Sequence, residues 1–211
     1  MKFSTLNPAT EEKITEYDIM DKQAVNDAVD NAKKSFDIWK ETDISDRCKI
    51  IKKTGRKLIG KKHELAEAIT EEMGKPIKES LAEVEKCAEI CEYYSKNAKR
   101  FLKDDVIKTE FKESYVTFEP LGVVGSIMPW NYPMSQIFRF AIPSLAVGNA
   151  QIVKPSSVTP LSGGINVREI FFNAGLPEHV FSVVIGDASS GTHLAESPID
   201  VISLTGSVNV G

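Results

Sequence analysis

The stretch from residue 119 to residue 160 constrains the fold more than any other part of this 211-residue chain. It contains two short apolar runs, residues 123–128 and 150–153, which are separated by the sequence PWNYP and a longer apolar run. Short uncharged runs are typical of strands buried on both faces of a sheet, and the longer run is typical of a helix. The order strand, helix, strand predicts two parallel strands joined by a helical crossover.

Polar side chains stand where each of these two strands ends. Pro129 and Pro133 restrict the backbone on either side of Asn131, which would fix a turn and aim its carboxamide. A fixed carboxamide N–H suits a developing oxyanion, and Lys154 at the end of the second run suits ribose hydroxyls or phosphate. An ordinary strand–turn–helix with a lysine in solvent would have the same spacing, so both interpretations stay open here.

The rest of the second half repeats this alternation of strands and helices. Strands alternating with helices form parallel sheets that are covered by helices, so we predict an α/β fold. The further strands are predicted at residues 181–185 and 201–204, and the helices at residues 135–147, 161–173 and 189–196.

The first third of the chain is predicted to be helical. Asp21 is a suitable N-cap for a first helix and Ser45 for a second, while a third ends at Gly74. Residues 78–101 form the longest predicted helix, with an apolar stripe that faces a core. Residues 114–119 then alternate polar and apolar side chains, which predicts an exposed strand.

The composition excludes several classes of protein. Apolar residues make up 42% and charged residues 27%, as in an ordinary globular chain. A net charge of −4 gives no footprint for nucleic acid, and we expect no membrane partner, since no apolar run has spanning length. An odd number of cysteines, three, argues against a disulfide framework and suits a reducing cytoplasm.

The cysteines and histidines predict neither a nucleophile nor a metal site. Cys87 and Cys91 lie four residues apart on the apolar face of the longest helix, and Cys48 lies in a lysine-rich helix. Free cysteine is commonly a small buried hydrophobic residue, and we interpret all three in that way. One Cys-x-x-x-Cys pair with no nearby histidine is a weak metal signal, and the three histidines are scattered.

Several sequence motifs in order resemble the NAD(P)-dependent aldehyde dehydrogenases. The motifs are LNPAT at residues 6–10, PWNYP, GNAQIVKPSSVTPLS and the final LTGSVNVG, and the resemblance covers essentially the whole chain. The segment EEMGKPIKESLAEVEKCAEICEYYSKNAKRFL resembles the succinate-semialdehyde dehydrogenase branch. The resemblance implies a Rossmann-like cofactor core at residues 121–211, an N-terminal helical part at 1–108 and a small β arm at 109–120.

The resemblance also assigns roles to individual residues. Asn131 would stabilise the oxyanion, and Arg139 would bind the distal carboxylate of the substrate, although a surface arginine paired with a glutamate is the alternative. In the family, the β arm pairs with a neighbouring subunit; an edge strand within one monomer is the alternative. The cofactor-binding residues implied are Trp130, Lys154, Pro155, Ser156, Ser157, Gly206, Ser207 and Gly211.

The choice of cofactor depends on the residue three positions after Lys154. Many NAD-specific members of the family have a glutamate there, whereas this chain has Ser157. A carboxylate would repel a 2′-phosphate, but a serine removes the charge and donates a hydrogen bond. We therefore predict NADP, or both NADP and NAD, unless Ser157 merely faces solvent.

The catalytic cysteine and the general-base glutamate of the family lie beyond the matching part of this sequence. We therefore expect the cofactor-binding portion of an enzyme that oxidises an aldehyde, with succinate semialdehyde as the favoured substrate. The expected partner is a second copy in a homo-oligomer or a complementing C-terminal chain that supplies the remaining portion. The alternative is a non-catalytic module that binds nucleotide weakly or associates with related subunits.

Overall fold

A computed structural model describes residues 1–208 of the chain as helices packed on a parallel β-sheet. In the first half, the elements are β1 (Lys2–Leu6), β2 (Lys13–Asp18), α1 (Lys22–Trp39), α2 (Ile44–Gly60), α3 (Lys62–Met73), α4 (Ile77–Phe101), β3 (Asp105–Val106) and β4 (Tyr115–Val116). In the second half, they are β5 (Val123–Ile127), α5 (Ser135–Val147), β6 (Ala150–Lys154), a π-helical turn (Leu161–Ile165) that continues into α6 (Asn166–Ala174), β7 (Phe181–Val183), α7 (Ala188–Ala195) and β8 (Val201–Leu204).

The four-stranded parallel sheet has the order β7-β6-β5-β8. The chain runs outward from β5 through β6 to β7, then returns across the sheet and places β8 on the other side of β5. The strand order therefore reverses beside β5, at the kind of position where open α/β sheets bind ligands. The α/β fold and the strand–helix–strand unit predicted from the sequence are confirmed.

The two faces of the sheet are covered by different helices. One face packs against α1 and α7, with Val29, Ile152 and Leu194 fully buried between them. The other face packs against α5 and α6, and helices α2 to α4 form a further layer on these two. Burial on both faces explains why β5 and β6 are apolar over nearly their whole length.

The predicted helix ends agree with the structure except for one cap. Asp21 caps α1 by accepting a hydrogen bond from the N–H of Ala24, and Gly74 ends α3 with a left-handed backbone, as predicted. The cap of α2 is Asp43 and not Ser45, because the Asp43 carboxylate accepts from the N–H of Ser45 at 2.7 Å. A carboxylate that precedes the first turn is favoured by the helix dipole and by the free N–H groups.

The prediction that the first third is helical is wrong for residues 2–18. This segment forms an antiparallel hairpin of β1 and β2, in which Thr5 and Tyr17 turn inward and are buried. The other side is polar, and Glu16 lies between Lys2 and Lys13 at 2.9 and 2.7 Å. Both strands are short and contain few apolar residues, so their alternation gives a weak signal in the sequence.

The predicted exposed strand at residues 114–119 is present but shorter. Only Tyr115–Val116 is extended and paired, and it pairs antiparallel with Asp105–Val106. All four residues of this small ladder are exposed, so residues 1–208 do not cover it. The assignment of this segment to an oligomerisation arm stays a prediction.

Gly122 permits a close approach at the start of β5 that no other residue could make. Its φ of +131° is a backbone conformation that side chains rarely adopt, and a Cβ there would overlap the carboxylate of Asp200. That carboxylate accepts the N–H of Val123 at 2.7 Å, which ties the segment before β8 to the central strand.

We expect Gly122→Ala to lower the free energy of unfolding by roughly 1–3 kcal/mol, because it combines backbone strain with displacement of Asp200. Gly60→Ala is the matched control, since nothing lies within 4 Å of its added Cβ at the end of α2. Urea unfolding curves of the two variants measure the difference. Equal midpoints for both variants would contradict this explanation of Gly122.

Candidate active site

Three loops leave the same edge of the sheet side by side. They are residues 128–134 after β5, residues 155–160 after β6 and residues 205–208 after β8. The N–H of Met128 donates to the carbonyl of Lys154, and the N–H of Thr205 donates to the carbonyl of Ile127, both at 3.0 Å. The structure therefore brings the predicted oxyanion turn, the lysine and the glycine-rich turn to one place.

The first loop presents Asn131 to solvent. Trp130 and Tyr132 on either side are each 49% exposed, while Pro133 and Met134 are buried and anchor the loop. Within residues 1–208, the carboxamide of Asn131 makes no hydrogen bond. Its N–H donors are thus available to a substrate oxygen, as the oxyanion role requires.

A buried ion pair holds this loop from the helical layer below it. The N–H groups of Met134 and Ser135 both donate to one oxygen of Glu83, at 2.9 Å each. The other oxygen of Glu83 pairs with the ammonium of Lys75, which also lies 4.2 Å from the centroid of the Tyr132 ring. Neither residue was predicted from the sequence. The signal available was the start of α5, which has no capping side chain of its own and therefore needs an acceptor from elsewhere.

Lys154 places a poorly hydrated positive charge at the sheet edge. It is the last residue of β6 and is only 7% exposed, with its stem near Gly191 of α7. Burial lowers the pKa of Lys154, and the carboxylate of Asp187 at the start of α7 opposes that shift. Among the described residues, Lys154 has no ion pair, so a hydroxyl or phosphate oxygen would stabilise it.

The second loop differs in how its two serines are used. The hydroxyl of Ser156 accepts the N–H of Val158 at 3.2 Å, so it is engaged in a local turn. The hydroxyl of Ser157 is partly exposed and has no such partner in the described part of the chain. Pro155 is buried and packs near Gly164. Ser157 is therefore the freer of the two serines to meet a ligand.

Glu72 holds the far end of the second loop. Its carboxylate accepts the N–H of Leu161 at 3.0 Å, and the N–H and hydroxyl of Ser162 at 2.7 Å each. Burial raises the pKa of Glu72, and these three donors oppose the shift because they favour the charged form. Glu72 was not predicted from the sequence either, because an isolated glutamate in a helix is usually a surface residue.

The π-helical turn that follows the second loop also touches the first loop directly. Gly163 lies so close to Pro133 that an added Cβ would come within 3.1 Å of the Pro133 carbonyl oxygen. The start of the π-helical turn therefore rests on the oxyanion loop.

The remaining predicted residues are exposed or lie outside the described part of the chain. Gly206 and Ser207 are exposed in the loop after β8, and Gly211 lies outside the described residues. Arg139 is exposed on α5, eight residues after Asn131. No acidic side chain within residues 1–208 forms an ion pair with Arg139, so the alternative of a glutamate-paired surface arginine is not seen there.

The three cysteines lie away from this edge and are free thiols. Cys87 and Cys91 are buried in α4, and burial raises the pKa of both well above the ordinary value. A protonated buried thiol is a poor nucleophile, which agrees with the interpretation from sequence. Residues 1–208 contain no group of three potential metal ligands, and no helix there is both long and apolar enough to span a membrane.

The chain is similar in sequence to several curated aldehyde dehydrogenases. It is 35% identical to the probable succinate-semialdehyde dehydrogenase (NADP+) of Synechocystis sp., covering 100% of this chain and 46% of that protein. It is 38% identical to the mitochondrial succinate-semialdehyde dehydrogenase of Arabidopsis thaliana, covering 97% of this chain and 39% of the relative. It is 35% identical to a betaine aldehyde dehydrogenase of Vibrio vulnificus, covering 99% and 43%. The chain thus spans less than half the length of these relatives.

The fold is also similar to that of solved enzymes. PnpE, solved in complex with nicotinamide adenine dinucleotide, superposes with a TM-score of 0.95 at 30% identity, covering 100% of this chain and 44% of PnpE. The family model described as the aldehyde dehydrogenase family matches residues 1–211. With that match over its whole length, and with the three site loops on one edge of a Rossmann-like sheet, the chain belongs to the aldehyde dehydrogenase family.

Proposed function

We propose that this chain is the cofactor-binding portion of an enzyme that oxidises an aldehyde to a carboxylic acid with NADP or NAD. The observation that carries the proposal is the buried Lys154, which has no ion pair among the described residues and ends the strand next to β5, where the strand order reverses. The free carboxamide of Asn131 leaves the neighbouring strand at the same edge. A positive charge for the cofactor and an N–H donor for the substrate oxygen are thus side by side.

The residues present fit a dinucleotide. The ammonium of Lys154 would bind ribose hydroxyls or a 2′-phosphate, and the free hydroxyl of Ser157 would add a hydrogen bond. Gly206 and Ser207 would approach the pyrophosphate, and Trp130, Pro155 and Ser156 would line the remaining surface. The nicotinamide, when bound, accepts the hydride from the substrate.

Succinate semialdehyde is the substrate that we favour. Two of the relatives described above carry that name. This chain is, however, 35% identical both to the Synechocystis relative and to the betaine aldehyde dehydrogenase, so sequence identity alone does not select the substrate. Arg139 supports a substrate with a distal carboxylate, because its guanidinium is exposed on the helix that follows Asn131.

The nucleophile and the base of the reaction have no candidates in this chain. We propose that a further part of the enzyme, on the same or another polypeptide, supplies the cysteine and the glutamate. The exposed apolar side chains of the β3–β4 ladder, Val106, Tyr115 and Val116, support pairing of this arm with a second copy. Three free cysteines support a reducing compartment, and we propose the cytoplasm.

The direct test is formation of NADPH from succinate semialdehyde and NADP. The purified chain is assayed alone and mixed with any polypeptide that is encoded immediately downstream of it. We expect turnover only in the mixture, because the cysteine nucleophile must be supplied. If the mixture is inactive with both cofactors but the chain still binds NADP, the result would favour the non-catalytic nucleotide-binding module instead.

The cofactor preference is tested at Ser157. In the complete enzyme, Ser157→Glu should shift the ratio of kcat/KM values toward NAD by at least about tenfold, because the carboxylate repels the 2′-phosphate of NADP. Ser157→Gln is the matched control, since a glutamine side chain has the same length as glutamate but no charge. Unchanged ratios in the glutamate variant would remove Ser157 from the cofactor site.

The substrate preference is tested at Arg139. Arg139→Ala should raise KM for succinate semialdehyde by about tenfold or more, since a guanidinium–carboxylate pair is lost. KM for butanal, which has the same number of carbon atoms and no carboxylate, should stay nearly constant. The KM of Arg139→Lys for succinate semialdehyde should lie between those of the wild type and Arg139→Ala, because lysine keeps the charge but cannot donate the two parallel hydrogen bonds of a guanidinium. Equal changes for both aldehydes would rule out the role.

A further inference from the structure

Two buried glutamates outside the site residues hold both of its main loops. Glu72 in α3 is 1% exposed and Glu83 in α4 is 4% exposed. Each carboxylate accepts the first free N–H groups of a helical segment that follows a site loop. Neither α5 nor the π-helical turn has a capping side chain of its own. The helical layer therefore supplies the caps that these two segments lack.

The two glutamates hold different loops. Glu83 binds the N–H groups of Met134 and Ser135, three and four residues after Asn131. Glu72 binds Leu161 and Ser162, four and five residues after Ser157. A carboxylate that receives two successive N–H groups fixes the position and the direction of the helix start. Because the loop before each helix is joined covalently to that helix start, its end is fixed in the same position.

Lys75 adds a second hold on the Asn131 loop alone. Its ammonium pairs with Glu83 and lies over the ring of Tyr132, the residue directly after Asn131. Lys75 is 6% exposed, so its charge depends on Glu83 for compensation. The loop is thus held at its backbone by Glu83 and at a side chain by Lys75.

We propose that Glu83, with Lys75, positions Asn131 for the reaction, and that Glu72 positions the loop of residues 155–160, which carries Ser157, for the cofactor. This proposal rests on the function proposed above. Displacement of a catalytic group by 1 Å costs about 100-fold in rate, so loosening the first loop should lower kcat. Loosening the second loop should weaken the cofactor instead.

A purely structural role makes a different prediction. If both carboxylates only stabilised the fold, replacing either one would lower the melting temperature. The kinetic constants of the folded fraction would then equal those of the wild-type enzyme. Glu83→Gln and Glu72→Gln are compared because each replaces a buried carboxyl at a helix start and retains a carbonyl acceptor. Only Glu83→Gln also removes the partner of Lys75.

The experiment uses the complete polypeptide expressed from its gene, with any subunit that co-purifies. Hydrogen exchange followed by mass spectrometry reports the N–H groups at 134–135 and at 161–162. Steady-state kinetics with succinate semialdehyde, and titration with NADP, report kcat and the cofactor Kd. The variants are Glu83→Gln, Glu72→Gln, Asn131→Ala and the double variant Glu83→Gln/Asn131→Ala.

We expect a crossed result. Glu83→Gln should speed exchange at 134–135 by about tenfold or more and lower kcat by roughly 10- to 100-fold, with the Kd of NADP nearly constant. Glu72→Gln should speed exchange at 161–162 and raise the Kd of NADP by about tenfold. Asn131→Ala should lower kcat by roughly 100- to 1,000-fold, and adding Glu83→Gln should lower it little further, since both act through one group.

Two results would overturn the positioning roles. One is the same exchange and kinetic profile for both glutamine variants in an active enzyme. The other is a loss of kcat in the double variant that equals the product of the losses in Glu83→Gln and Asn131→Ala. If Glu83→Gln does not fold, Tyr132→Leu replaces it, because a half-exposed residue can be changed with little effect on folding. Tyr132→Leu removes the ring that Lys75 contacts, so it should lower kcat more than Tyr132→Phe, which keeps the ring. Wild-type enzyme without aldehyde turnover would overturn the proposed function itself.

Discussion

The pairing of β5 with both β6 and β8 is the constraint on which the site depends. Because the three strands are parallel and in register, with Ile127 opposite both Lys154 and Leu204, their loops must leave one edge together. Residues that are far apart in sequence thereby become neighbours without contact between their side chains. The apolar character of β5 and β6 enforces this pairing, since both faces of the sheet are covered by helices.

The electrostatics of the helix starts follow from this arrangement. A helix N-terminus that faces a site is usually a place for a ligand phosphate, because its free N–H groups and its dipole favour negative charge. Here the starts of α5 and of the π-helical turn already hold the carboxylates of Glu83 and Glu72. On the proposed function, the anionic parts of a dinucleotide would therefore be left to Lys154 and to the turn after β8.

Much of the second half of the molecule could be predicted, because strong local patterns and tertiary burial agree there. The helix at Ser135–Val147 and the strand at Val201–Leu204 have the predicted bounds. The β1–β2 hairpin could not be predicted, since its strands are short and largely polar. Glu72, Lys75 and Glu83 were missed for another reason: their function depends on helix starts some 50 to 90 residues later, and no local pattern marks that.

The direction of synthesis gives the position of the two glutamates a further meaning. Both carboxylates belong to helices that precede, along the chain, the amides they receive. During translation, α3 and α4 leave the ribosome first and can pack against α2. Each site loop is then synthesised after the helix that carries its acceptor, so the order of the elements along the chain matches the order in which these contacts can form.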